Sequence, residues 1–216
     1  IDYTSMYSTG TVFCYELRVK LATAVVDVTN PVTGKTWMDR NLGASRVATS
    51  NKDFSAMGDL FQWGRRADGH QCRNTAENIH VVTTTQSNND VPQHYYYIHP
   101  PLGNGGDWRN PQNNNLWQGV NGVNNPCPNG YRIPTAAELE SEFQSWNAGN
   151  PDGGFASPLK FTTTGVLSFM DNDNIVDINA GHYWSSTSHE FSGATKTLLF
   201  NSTGQTGISQ QGRADG

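Results

Sequence analysis

Apolar and polar positions alternate only in short patches along this chain, and those patches predict brief strands separated by long irregular stretches. Residues 11–29 (TVFCYELRVKLATAVVDVT) are rich in Val, Thr, Tyr and Phe and read as one or two strands, with residues 1–10 as a linker or the end of a preceding element. Asn30, Pro31 and Gly34 supply a turn, after which Lys35 to Arg40 returns as a strand with Trp37 and Asp39 on one face and Met38 on the other. This is a β-hairpin. One helix is well signalled: Thr135 and Glu138 form a T-x-x-E capping box, and Leu139, Phe143 and Trp146 follow at i, i+4 and i+7. It is expected to run from about 135 to 147, with Asn150, Pro151, Gly153 and Gly154 stopping it. A weaker pattern between Asp53 and Phe61 predicts a second, shorter helix that Gly58 limits. Beyond 158 strands are expected at Leu159–Thr163, Gly165–Met170, His182–Thr187 and Thr195–Asn201, and Gln210 to Gly216 end in the open without a closing strand.

Residues 66–129 are full of Asn, Gln, Gly and Pro and carry almost no aliphatic period, which is far too long for an ordinary connection. Such a stretch is either functional or pinned by internal contacts, and the irregular spacing of Tyr95, Tyr96, Tyr97, Trp108 and Trp117 suits individual anchors on a scaffold. Short antiparallel strands, one clear helix and long irregular loops give an α+β fold class. A chain of 216 residues has room for one sizeable core. Only 35% of residues are hydrophobic and 15% charged, while Gly, Asn, Thr and Ser fill the difference, a profile of loop-rich extracellular domains.

The net charge of −5, with no run of Lys or Arg, argues against a nucleic-acid groove or an anionic membrane surface, and no stretch is apolar enough to insert into a bilayer. Residues 1–25 lack the pattern of a signal peptide, so the chain reads as mature or trimmed. Three cysteines, Cys14, Cys72 and Cys127, leave open a free thiol, an intermolecular bridge or a partner beyond these residues, the last being favoured. No two of them have the spacing of a zinc knuckle. His70 with Cys72, and His80, His94 and His99, read as scattered loop residues before they read as metal ligands. In DNDNIVD at 171–177, Asp171, Asp173 and Asp177 offer oxygens at alternating positions suited to calcium, the one cofactor the chain suggests. The string lacks the Gly and closing Glu of an EF-hand, so a polar hairpin turn is the favoured reading. Ser185, His182 and Asp177 form a triad on paper only, since no G-x-S-x-G elbow supports them. Asp39, Arg40, Asn41, Arg65 and Arg132 are expected to anchor the scaffold, and Trp37, Trp63 and Trp184 to fill the core.

Five strings occur in fixed order: GKTWMDRNLGAS at 34–45, GDLFQWGR at 58–65 with ADGHQ after it, DWRNPQNNNLWQG at 107–119, NPCPNGYRIPTAAELE at 125–140, and GHYWSST at 181–187. On these motifs the chain resembles the Fibrobacter succinogenes major paralogous domain, a family of bacterial and phage surface proteins with a C-type-lectin-like fold. The likeness covers about residues 25–216 and leaves 1–24 as an N-terminal linker or strand extension. Members close with a short cysteine-bearing strand just after an R-A-x-G string, which Arg213, Ala214, Asp215 and Gly216 match. The resemblance therefore implies a domain shown here without its final strand, Cys127 pairing with a cysteine beyond residue 216, and Cys14 left to pair with Cys72.

The wider fold is also similar to variable proteins of diversity-generating retroelements and to formylglycine-generating enzymes. In the former, the segment after a Trp-Ser-Ser string is an exposed binding face. The matching positions are Ser188, His189, Glu190, Phe191, Lys196, Asn201, Thr203, Gln205, Ser209, Gln210 and Gln211, polar residues suited to adaptable contacts. Tyr95, Tyr96 and Tyr97, with His94 and His99, offer stacking surface beside them. No enzyme is expected, because Cys127 sits between two prolines with no second thiol near it. The calcium-dependent sugar-binding triplets of lectins are absent too. The expected function is a non-catalytic, extracellular ligand- or receptor-binding module of a surface protein, appendage or phage fibre, facing a protein or glycan on a cell surface. A structural virion or filament subunit that self-assembles is the alternative, and a formylglycine-generating-type enzyme comes third.

Overall fold

The computed structural model describes residues 25–73, 82–92, 96–101, 106–171, 174–190, 193–204 and 206–216. It is a mixed α+β structure with one clear helix and short strands in small sheets. The expected hairpin is formed by β1 (Asp27–Thr29) and β2 (Thr36–Met38), paired antiparallel with Val28 opposite Trp37. Its turn closes through Asn30 N donating to Lys35 O (2.9 Å) and Gly34 N to Asn30 O (2.8 Å), with Gly34 at φ 66° where a side chain would be strained. The expected strands before residue 25 lie outside the described residues.

Helix α1 spans Ala136–Gln144, and its capping box is complete: the Thr135 hydroxyl accepts from Glu138 N while Glu138 Oε2 accepts from Thr135 N (2.9 Å). The helix ends earlier than its apolar period suggests, since Ser145 caps it and Trp146 packs from beyond its end. Its one fully buried acid, Glu142, accepts from Asn30 Nδ2 (2.7 Å), so the hairpin turn is clamped onto the helix. Burial pushes the Glu142 carboxyl above its ordinary pKa.

The residues expected to break the chain instead start a second short helix, α2 (Pro151–Ala156). Asn150 Oδ1 accepts from Gly153 N (3.0 Å), and Pro151 occupies the first turn, where its missing N–H costs nothing. Gly153 and Gly154 are there for space: a Cβ on the first would overlap the Ala148 carbonyl, and one on the second would press on the Trp146 ring. The weaker helix expected after Asp53 shrinks to a 3-10 turn at Phe54–Ala56.

Two short strands in the long stretch, β3 (Val82–Thr83) and β4 (Tyr97–Ile98), run parallel. Leu159–Thr163 is buried apart from Lys160 and bonds to Gly154 and Asn51 rather than to a strand, so the strand expected there does not form. Within the expected strand at Gly165–Met170, β5 (Val166–Ser168) forms a hairpin with β6 (Asn174–Val176). The main sheet has the order β7 (Gly181–Ser188), β8 (Ala194–Phe200), β9 (Thr206–Gly212).

Strand β9 corrects the expected open end. TGISQQG has little apolar alternation, because none of its residues is fully buried, yet it pairs with β8 over its whole length. The residues after it are also held: Ala214 is buried, and Gly216 exchanges two backbone bonds with Leu167 (2.7 and 2.9 Å).

Aromatic side chains fill the core. Trp146, Phe161, Tyr183 and Phe200 meet edge to face, tilted or stacked on the helix side of the sheet. On the other side, Trp63, Trp108, Trp117 and Ile98 hold the 66–129 stretch. Each indole spends its N–H on a carbonyl: Trp108 on Trp63 O (2.6 Å), Trp117 on Arg65 O (3.1 Å) and Trp63 on Ser185 O (2.8 Å). Gln62 joins Ile98 O and Ala214 O (both 2.7 Å) from beneath. The described parts of the long loop are held by these anchors, as the aromatic spacing suggested.

Candidate functional site

Arg213 organises the polar end of the sheet. Its guanidinium is buried 4.2 Å from the Trp63 ring centroid and reaches Ala194 O (3.2 Å), Asn113 O (3.3 Å), Asn114 Oδ1 (2.5 Å) and Asp107 Oδ2 (3.4 Å). One cation thereby ties the start of β8 to the 107–114 loop. Burial pushes the Asp107 carboxyl up despite Arg213 beside it, and lowers Arg213. Two amide side chains complete the junction: Gln112 Oε1 accepts from Gly193 N (2.8 Å) and Gln118 Nε2 donates to Ser186 O (2.6 Å).

Above this junction lies part of the expected face. Lys196 is directly opposite Gln210, Thr195 opposite Gln211, and Ser188 opposite Thr195, with His189 and Glu190 continuing from β7. Asn114, Asn115, Gln118, Glu190 and Gln210 are exposed there, a surface mostly of amides that can both donate and accept. Asn201 and Thr203 belong elsewhere. They form the β8–β9 turn, where Asn201 Oδ1 accepts from Thr203 N (3.0 Å), about 17 Å along the strand from Lys196 at roughly 3.3 Å per residue. The expected continuous face is therefore two patches. Phe191 and Gln205 lie outside the described residues.

The tyrosine surface is corrected as well. Tyr97 is buried against Leu60 and Leu167 and donates its hydroxyl to Leu167 O (3.2 Å), leaving no ring to stack on. Tyr96 is half-buried with its carbonyl on Arg65, and Tyr95 lies outside the described residues. The calcium string is split by its hairpin. Asp171 sits in the β5–β6 turn, accepting from Ser168 Oγ (2.7 Å), whereas Asp177 follows β6 at the far end, about 10 Å away by strand rise. Asp173 lies outside the described residues, among which no group of three or more His, Cys, Asp or Glu is placed to hold a metal.

Among the described residues Cys127 is a free thiol, packed against the Phe61, Trp117 and Ile133 cluster, and burial pushes its pKa to about 12. Cys72 is disulfide-bonded; Cys14 lies outside the described residues. The paper triad is not assembled, since Ser185 Oγ donates to Lys196 O (2.7 Å). His182 instead meets Gln211 Oε1 (3.2 Å) and Asp177 (3.6 Å). His70, expected as a loop residue, is a buried strut: Nδ1 faces Asp68 (2.6 Å) and Nε2 accepts from Gln62 N (3.0 Å).

A cavity of about 420 Å³ opens between the β1–β2 hairpin, the 57–61 segment, the 127–134 loop, α1 and the middle of β7. Trp37, Phe61, Trp117, Leu139 and Trp184 make it largely apolar, and Cys127 and Gly216 also border it. Lys35, Arg132 and Glu138 stand at its edge; the Arg132 fork on Glu138 (2.7 and 2.8 Å) holds that carboxyl at about pKa 2. Trp37 Nε1 is buried with no hydrogen-bond partner among the described residues. Nothing in the sequence announced this cavity, because its walls come from segments far apart in the chain.

No family model, curated protein or solved structure matches this chain.

Proposed function

We propose that this chain is a non-catalytic, extracellular binding module with a C-type-lectin-like arrangement, whose contact surface is the amide-rich patch around Glu190, Lys196, Gln210 and the 110–118 loop. The carrying observation is the Arg213 junction: a buried cation fixes an irregular loop and two strands beneath exposed amides, so the contact groups are pre-organised. The ordered motifs that resemble the Fibrobacter succinogenes major paralogous domain support the same reading. The ligand is a protein or glycan on a cell surface, recognised by hydrogen bonds more than by charge.

Binding of the protein to a glycan array and to whole bacterial and animal cells tests this, beside a Glu190→Ala, Lys196→Ala, Gln210→Ala triple variant of unchanged melting temperature. Loss of at least tenfold in the variant supports the patch, and equal binding by both removes it.

The edge of the main sheet, as formed among the described residues, favours a second reading, a structural subunit of a virion or filament. Strand β9 carries no Lys, no Pro and no charge, the usual guards against edge-to-edge pairing. Light scattering across a concentration series separates the two: a constant monomer mass speaks for a module, rising polymer mass for a subunit.

A further inference from the structure

A surface amide can turn either end outward, but two in the 110–118 loop are locked by what lies beneath them. Asn114 Oδ1 accepts from Arg213 Nη2 (2.5 Å) and from Gln112 Nε2 (2.7 Å). A guanidinium only donates, so this carboxamide cannot flip, and its N–H groups face outward. Gln112 is fixed in turn, because its Oε1 accepts from Gly193 N (2.8 Å). Gln118 is locked the opposite way round: Nε2 donates to Ser186 O (2.6 Å) and to Asn114 O (3.1 Å), two carbonyls that only accept. Both of its N–H groups are spent inward, which leaves Oε1 outward. Asn114 and Gln118 are both exposed, and neither outward atom has a partner among the described residues. A fixed donor and a fixed acceptor therefore share one turn, held together by the Gln118 carboxamide lying on the Asn114 main chain. Each inward bond also polarises its amide, which strengthens the outward end.

We infer that Asn114 Nδ2 and Gln118 Oε1 are a recognition pair for a hydroxyl group of an uncharged glycan. A hydroxyl accepts and donates through one atom, so it satisfies both members at once. A carboxylate, sulfate or phosphate would accept from Asn114 but set a second acceptor against the Gln118 oxygen. An ammonium group would satisfy Gln118 and leave the Asn114 N–H groups facing another donor. A trans peptide unit points its N–H and its C=O in opposite directions, so one unit meets only one member of the pair. Sugar rings carry several hydroxyls on a rigid frame, which lowers the ordering cost of binding and suits a surface that continues into Gln210 and Glu190. This names the ligand class of the surface proposed above and rests on that reading.

An Asn114→Asp variant keeps an oxygen on Arg213 and replaces the outward donor with an acceptor, so two acceptors then face the hydroxyl. The protein and this variant are applied to arrays of uncharged glycans, of sialylated and sulfated glycans, and of cell-surface proteins stripped of their glycans. Binding to uncharged glycans that falls about tenfold or more in the variant, with no loss of melting temperature, is expected. Equal binding of uncharged glycans by both overturns the pair. Binding confined to charged glycans or to the stripped proteins also overturns it, while leaving the amide patch as a contact surface. Absence of binding on every array and to whole cells removes both this inference and the proposed function. If Asn114→Asp does not fold, the side-chain amide signals of the unaltered protein decide. With the strongest uncharged glycan of the array added, the Asn114 Nδ2 signals should shift, and the Gln118 Nε2 protons should exchange slowly with or without it. Unshifted Asn114 signals, or Gln118 protons that exchange as fast as those of Gln210, overturn the pair.

Discussion

Single carboxyl groups decide how this protein responds to pH. Burial pushes Asp215 from an ordinary 3.8 to about 6, even though Phe169 N donates to it (3.1 Å). Its folded form keeps a proton that the unfolded chain releases near 3.8. The stabilisation is full below about pH 4 and is lost as pH rises through 6, a difference of about 3 kcal/mol. Asp215→Asn should therefore be more stable than the parent at pH 7.5 and equal to it near pH 4, as read from urea midpoints. Asp53, Asp68 and Glu138 act in the opposite direction. Arg46 holds Asp53 at about 2 and Arg132 does the same for Glu138, while burial of Asp68 is outweighed by His70 and Arg65. Their stabilisation is present above about pH 4.5 and lost as pH falls toward 2. Maximum stability is expected between pH 4.5 and 6, checked by thermal melts across pH 2–8.

Local elements depend on small features that a sequence states unevenly. Thr135 and Glu138 were legible as a capping box because both side chains serve their own turn. Thr135→Ala should cost about 1 kcal/mol in a denaturant titration with unchanged slope. Gly153 and Gly154 were misread as breakers because their purpose, room for Ala148 and the Trp146 ring, is invisible without the neighbours. Gly181 is the same kind of residue inside a strand: a Cβ there would overlap the Phe200 ring. Gly181→Ala should destabilise by about 1–3 kcal/mol through overpacking, seen as a lower urea midpoint.

The whole molecule is held by a few long-range polar struts set among aromatic rings. Arg213 links β8, the 107–114 loop and Trp63. Asn30 and Glu142 link the hairpin to α1. Arg213→Met leaves the Asp107 carboxyl buried beside an apolar chain and should cost about 3 kcal/mol or more. Faster amide exchange confined to residues 107–118 and the β7–β8 turn should accompany it. General loosening would show that the junction is not the local hub described here. The candidate surface depends on this scale: Lys196 and Gln210 became neighbours through strand pairing, while Asn201 and Thr203 were carried to the other end of the same hairpin.

By itself the sequence determined the features whose causes are local: the α+β class, the β1–β2 turn, the capped helix, the strands around YWSST, and aromatic anchors in a stretch too long for an ordinary connection. It also supplied the amides of the contact patch, though not their grouping. Only the tertiary structure decided that TGISQQG pairs as β9, that Tyr97 is core, that Asp171 and Asp177 stand apart, and that segments far apart in the chain wall one largely apolar cavity. Those outcomes rest on contacts between residues tens of positions apart, and period or composition records only what each residue needs from its nearest neighbours.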